Sequence, residues 1–99
     1  MNISAYLHDN AEWRRFLRFG SDGTAEYADL TEVRCRIQPS RKAVVNASGE
    51  AKTSETLIFV SERVCEHDLI ILNGQEWPVL QSTQIKNLSG SISHYEVRI

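Results

Sequence analysis

Leu69-Ile70-Ile71-Leu72-Asn73-Gly74-Gln75-Glu76-Trp77-Pro78-Val79 decides how this chain is read. A short apolar run meets Asn-Gly, the strongest two-residue hairpin signal, because both residues accept the positive φ that a type I′ turn demands. That turn sets Leu72 opposite Gln75, Ile70 opposite Trp77 and Leu69 opposite Pro78. Pro78 then falls at a non-hydrogen-bonded position, where its missing N–H points away from the hairpin, so the far side of that strand is expected to be an edge or a bulge.

Downstream, Tyr95, Val97 and Ile99 alternate with Glu96 and Arg98 and are expected to share one buried face. A three-residue loop, Leu88-Ser89-Gly90, satisfies this parity by pairing Val79 with Ile99, Gln81 with Val97 and Thr83 with Tyr95, with Gly90 left-handed in a G1 bulge. A two-residue loop would set Leu80 opposite Ile99 instead. The expected core face of the module is Ile70, Leu72, Trp77, Val79, Ile85, Tyr95, Val97 and Ile99.

Working upstream, Thr56–Val60 is an apolar central strand, and 61–68 is a polar connector with room for one helical turn. Glu32–Gln38 alternates cleanly, Val33, Cys35 and Ile37 inward and Arg34, Arg36 and Gln38 outward, with Pro39 ending it. Between them, residues 40–55 turn small and polar around Val44-Val45. This predicts a long excursion with its tip at Asn46–Gly49, whose arms can pair as a ribbon. Trp13–Phe19 and Thr24–Tyr27 predict two strands about a Ser21-Asp22-Gly23 turn. Ser4 could cap a short helix presenting Tyr6 and Leu7. The expectation is an all-β domain, a small barrel or sandwich of about six to seven antiparallel strands with one long protruding loop or hairpin.

Four segments in this order carry a resemblance: Val33-Arg34-Cys35-Arg36-Ile37; Thr56-Leu57-Ile58-Phe59-Val60; Leu72-Asn73-Gly74-Gln75-Glu76-Trp77-Pro78-Val79; and Leu88-Ser89-Gly90-Ser91-Ile92-Ser93-His94-Tyr95-Glu96-Val97. Over residues 30–99 the chain resembles the head-closure proteins of tailed bacteriophages, also called head-tail connector, stopper or minor capsid proteins. It departs from them at Glu66-His67-Asp68, where such sequences commonly place Gly-Asp before the strand. The resemblance implies a virion structural protein that forms a homo-oligomeric ring below the portal and its adaptor, closes the channel after DNA packaging and presents a surface to the tail. It also implies location at the head-tail interface of the virion, and in the host cytoplasm during assembly.

Composition agrees with a single soluble domain: 99 residues, 41% hydrophobic, net charge −2. A negative total argues against a general nucleic-acid binder, whose affinity comes from phosphate neutralisation. Residues 1–52 are slightly basic and 53–99 acidic. Residues 1–12 have neither a basic start nor a long apolar run, so no secretory leader and reduced Cys35 and Cys65 are expected, leaving Asn46-Ala47-Ser48 unglycosylated. No apolar run suggests contact with a membrane.

Among chemical readings, His8, Cys35, Cys65, His67 and His94 include only one suitably spaced pair, Cys65 and His67, so neither a metal nor any other cofactor is expected. No phosphate loop, nucleophile elbow or paired-carboxylate motif appears, and no enzyme activity is expected. Arg14, Arg15, Arg18, Arg34 and Arg36 form a candidate charged contact surface. With Trp13 and Phe16 beside them they carry the alternative function, a small-barrel binder of single-stranded nucleic acid. DNA in the connector channel is a further possible contact. Arg41, Lys42, Val44, Val45, Asn46, Gly49 and Glu50 are the candidate subunit or partner interface, because an exposed apolar pair on a polar arm is a docking signal.

Overall fold

The computed structural model describes residues 7–46 and 48–99. The helix that Ser4 would cap, with Tyr6, lies outside them, as does Ala47. Among the described residues there is no helix, and nine strands carry the fold. They are β1 (Asp9–Arg14), β2 (Phe16–Phe19), β3 (Ala25–Tyr27), β4 (Thr31–Val45), β5 (Ala51–Val60), β6 (Leu69–Leu72), β7 (Gln75–Pro78), β8 (Gln81–Lys86) and β9 (Ile92–Arg98). β2 and β3 pair only with each other, and the other seven form an antiparallel sheet in the order β7-β6-β1-β4-β5-β9-β8.

The two ends of that order are one continuous run of chain. β7 pairs with β6, and Val79 continues the ladder by donating its N–H to the Asp68 carbonyl at 3.0 Å. One residue later Leu80 donates to the Arg98 carbonyl at 2.8 Å and opens the β8–β9 ladder. The sheet therefore closes into a small barrel at a Val79-Leu80 corner, which removes most of the edge an open sheet would expose.

The Asn73-Gly74 hairpin has the expected register, Leu72 opposite Gln75, Ile70 opposite Trp77 and Leu69 opposite Pro78, with φ of 52° and 79° at its two turn residues. Pro78 sits on the end strand of the sheet order, as its missing donor requires.

The β8–β9 register is displaced by one from the expected pairing: Gln81 faces Arg98, Ser82 faces Val97 and Gln84 faces Tyr95. The turn itself is the expected one, with Gly90 at φ 86°. Two local features shift the ladder. Ser93 is an extra residue in β9, where the register slips between Ile85 and Lys86. The corner at Val79-Leu80 also breaks the inward-outward phase that was carried from β7 into β8. Ile85 is consequently only half-buried, while Tyr95, Val97 and Ile99 face inward as expected.

The core gathers Trp13, Val33, Cys35, Ile58, Val60, Val64, Ile70, Val79, Tyr95, Val97 and Ile99, with Leu72 packed against it. Trp77 is not in it, at 38% exposure. β7 is the end strand of the sheet order, and the interior indole is that of Trp13, which lies opposite Ile70 across the β1–β6 ladder. Val64, fully buried in the connector, was not anticipated. The connector has no helical turn; it passes beside β8, where Ser82 Oγ donates to the Val64 carbonyl.

Pro39 does not end its strand. Ile37 donates its N–H to the Asp9 carboxylate at 2.9 Å, so it points to the β1 side of β4. Residues two apart point the same way, and β1 pairs only as far as Cys35, so the donor that Pro39 lacks would have met no strand. A bulge between Pro39 and Lys42 takes up the irregularity, and the ladder resumes from Lys42 opposite Ser54 to Val45 opposite Ala51. The expected excursion is thus a regular two-stranded ribbon continuing β4 and β5. The trace is elongated, 45 × 28 × 28 Å.

Candidate functional site

Asp68 is the buried polar centre of the molecule, 2% exposed. Its carboxylate accepts the Trp13 indole N–H at 3.0 Å, the Phe16 backbone N–H at 2.7 Å and the Cys65 backbone N–H at 2.8 Å. Its carbonyl takes Val79. One side chain thus fixes the end of β1, the start of β2, the connector and the barrel corner, and charge-assisted bonds of this kind are the strong ones.

The fixed start of β2 holds the β2–β3 hairpin against the connector. Phe16 packs edge-on against Phe19 (centroids 5.0 Å apart) and Tyr27 (6.0 Å), and His67 lies 5.5 Å from Phe16 and 6.3 Å from Phe19. Phe19 remains 61% exposed.

Facing this aromatic wall is the ribbon tip. Asn46, Ser48, Glu50 and Lys52 line one side of a cleft of about 290 Å³, and Phe16, Phe19, Tyr27 and His67 line the other. Asn46 builds the tip: its Oδ1 accepts the N–H groups of Ser48 (3.0 Å) and Glu50 (2.9 Å). Its own N–H bonds the Glu50 carbonyl, and Gly49 turns at φ 82°. The ribbon is strapped at its base, where the Arg98 guanidinium donates to the Ser40 carbonyl (3.0 Å) and hydroxyl (3.3 Å). On the other arm buried Ser54 donates its hydroxyl to the Ile99 carbonyl at 3.0 Å.

Of the expected interface residues, Asn46 and Glu50 line the cleft. Arg41 is exposed at the bulge and 3.6 Å from Glu55, and Lys42 is exposed. Val44 and Val45 are not an exposed pair: strand alternation buries Val44 to 5% and leaves Val45 at 59%.

The arginines do not form one surface. Arg34 faces Asn10 across the β1–β4 ladder, and Arg14 ends β1 beyond the Glu12–Glu32 pair, which puts two carboxylates between them on the outward face. Arg14 is spent on the Ala28 carbonyl (3.2 Å) and the Tyr27 ring, Arg15 stacks on Trp13, Arg18 pairs with Glu26 at 2.8 Å and Arg34 donates to the Leu7 carbonyl. Arg36 projects from β4 opposite Phe59.

Cys35 is fully buried, and desolvation, aided by the nearby charges of Asp9 and Glu62, pushes its thiol up to about 11. It is a core residue, neutral at physiological pH. Cys65 lies in the connector, beside Tyr95 and Ser82, whereas His67 turns to the aromatic cleft. His94 is half-buried between Ser93 Oγ (3.0 Å) and the Phe59 ring (5.7 Å). Among the described residues no three metal-ligating side chains converge.

Sequence reasoning missed Asp68 and the β2–β3 aromatic wall. An acidic residue directly before the apolar run 69–72 was the available signal. Compared with known proteins, the chain matches no family model and no curated protein.

Proposed function

We propose that this protein is a ring-forming subunit of the head-tail connector of a tailed bacteriophage, closing the portal channel after DNA packaging and offering a docking surface to the tail. The observation that carries the reading is the ribbon. It is a long arm, hydrogen-bonded along both strands and strapped at its base by Arg98 and Ser54, with Val45 exposed near its tip. A rigid two-stranded arm has unpaired outer edges, which suit strand addition by a neighbouring chain.

The Glu66-His67-Asp68 departure also bears on the resemblance. His67 has φ 77°, the left-handed conformation in which glycine is at ease and which a side chain adopts at a cost. The backbone is therefore the one a Gly-Asp pair would give, with the histidine ring stacked on Phe16 and the following aspartate at the barrel corner.

A subunit of this size offers little area to any one neighbour. Contacts that are weak singly act together once copies are lined up on a preformed portal and adaptor ring. The test is the mass of the protein in solution, alone and after mixing with portal and adaptor assemblies. A monomer that joins those rings as a ring of its own supports the reading. A protein that ignores them and binds single-stranded DNA with steep salt dependence would replace it with the nucleic-acid function; one that does neither removes it.

A further inference from the structure

The β8–β9 hairpin ends in Leu88, whose exposure of 110% means that no atom of the molecule shelters it, and Ile92 beside the turn is 49% exposed. At the other end of the same hairpin lies a largely apolar groove of about 340 Å³, formed by Ile99, Leu80, Trp77 and Pro78 together with β5 residues from Lys52 to Thr56. β8 spans the distance between them, about 20 Å at the rise of an extended strand. Knob and groove therefore cannot meet within one chain.

We infer that the groove receives the Leu88 knob of a second copy of this chain, so that copies join head to tail. Each feature is an apolar surface left in water, and together they are complementary in kind: a protruding aliphatic tip and a recess lined by an indole, a proline ring and aliphatic side chains. Charge does not oppose the contact: residues 81–93 carry one charged side chain, Lys86, and the charged side chains lining the groove are Lys52 and Glu55, one of each sign. The tip is also rigid, because Asn87 Oδ1 accepts the N–H groups of Ser89 (3.0 Å) and Ser91 (3.1 Å) and Gly90 turns at φ 86°, so little order remains to be imposed on binding.

A knob on one surface entering a groove on another is a heterologous contact, which propagates as a ring or a filament rather than stopping at a dimer. One leucine and part of an isoleucine cover far less than the roughly 1,000 Å² of a stable two-body interface. Copies thus separate at micromolar concentration and associate at millimolar concentration or on a template. This inference rests on the ring reading above and names the subunit contact within it.

The experiment is a dilution series of the full chain, from millimolar downward, followed by sedimentation velocity and by amide and indole chemical shifts. The expected result is concentration-dependent self-association in which Leu88, Ile92, the Trp77 indole N–H and Leu80 shift together. Leu88→Asp, in an exposed turn, should leave the fold intact and weaken association at least about tenfold. Mixing Leu88→Asp, with its groove intact, and Leu80→Asp, with its knob intact, should restore a one-to-one pair and nothing larger. Should Leu80→Asp fail to fold, Trp77→Ala serves, since Trp77 is outside the core. A chain that stays monomeric at millimolar concentration, shifts elsewhere, or association unchanged in Leu88→Asp would overturn the inference. Adding portal and adaptor rings separates the two proposals: if Leu88→Asp still assembles on them like the parent chain, the head-closure reading stands and the knob contact falls. If the parent chain self-associates through the knob but ignores the rings, the reverse holds.

Discussion

The β4–β5 ribbon and the β8–β9 hairpin end in the same sequence pattern, Asn-Xaa-Ser-Gly, at 46–49 in one and 87–90 in the other. In both, the asparagine carboxamide oxygen accepts two N–H groups from the turn, at the second and fourth residues beyond it, and the glycine is left-handed. The backbone bonds also match: Asn46 N–H to Glu50 and Asn87 N–H to Ser91, at 3.0 and 2.8 Å. The surroundings differ. The ribbon tip faces the aromatic wall that Asp68 positions, across a cleft, whereas the other tip stands clear with Leu88 in solvent. Turn chemistry fixes the shape of a tip, and what packs around it decides what the tip can contact.

Removing the anchor of the aromatic wall breaks the comparison hardest. Asp68→Ala leaves the Trp13, Phe16 and Cys65 N–H groups without their acceptor, and by the cost of orphaned donors to a charged group it should destabilise the fold by about 3–5 kcal/mol, read as a lower urea midpoint. Loss below about 1 kcal/mol would mean that water replaces the carboxylate and that the wall does not depend on it.

The shared turn predicts shared energetics. Asn46→Ala and Asn87→Ala each remove an acceptor from two exposed N–H groups and should cost about 1 kcal/mol apiece, equal within error and additive in the double variant. Unequal values would show that the ribbon tip draws stability from the cleft it faces.

His67 sharpens the contrast further, because it lies only on the ribbon side. His67→Ala keeps the left-handed φ and loses the rings of Phe16 and Phe19, and should cost about 0.5–1 kcal/mol. His67→Gly relieves the backbone and should recover most of that loss, so thermal midpoints should rank the glycine variant above the alanine variant.

The two thiols give an effect that vanishes at neutral pH. Below about pH 9 Cys35 is protonated both folded and unfolded. Between about 9 and 11 only the unfolded chain ionises it, so stability should fall as pH rises through that window, and Cys35→Ala should flatten the slope. In the native state a thiol reagent should count one cysteine, the exposed Cys65, and two after unfolding.

What was legible in the sequence follows the range of the interactions. Asn73-Gly74 and Gly90 declared their turns because the constraint is local, a left-handed residue that a side chain resists. Alternation placed Val33, Cys35, Tyr95, Val97 and Ile99 correctly because strand parity is local too. The corner at Val79-Leu80 and the extra residue Ser93 were hidden, since each reconciles two ladders that meet only in the closed barrel. The tryptophans exchanged roles for the same reason. Trp13 is interior because Asp68, 55 positions away, takes its N–H, and no spacing rule reports that. The repeated Asn-Xaa-Ser-Gly, by contrast, was visible in the chain as written. It identifies both projecting tips, which the apolar pair Val44-Val45 does not, since only half of that pair is exposed.

Hydrogen exchange of the protein, free and bound to portal and adaptor rings, tests the central claim that the projecting hairpins rather than the arginine-bearing strands make the contacts. The account predicts new protection at residues 41–52 and 86–92, with β1 and the Thr31–Arg36 part of β4 unchanged. Protection confined to the faces of Arg14, Arg34 and Arg36, with both tips exchanging as freely as before, would contradict it.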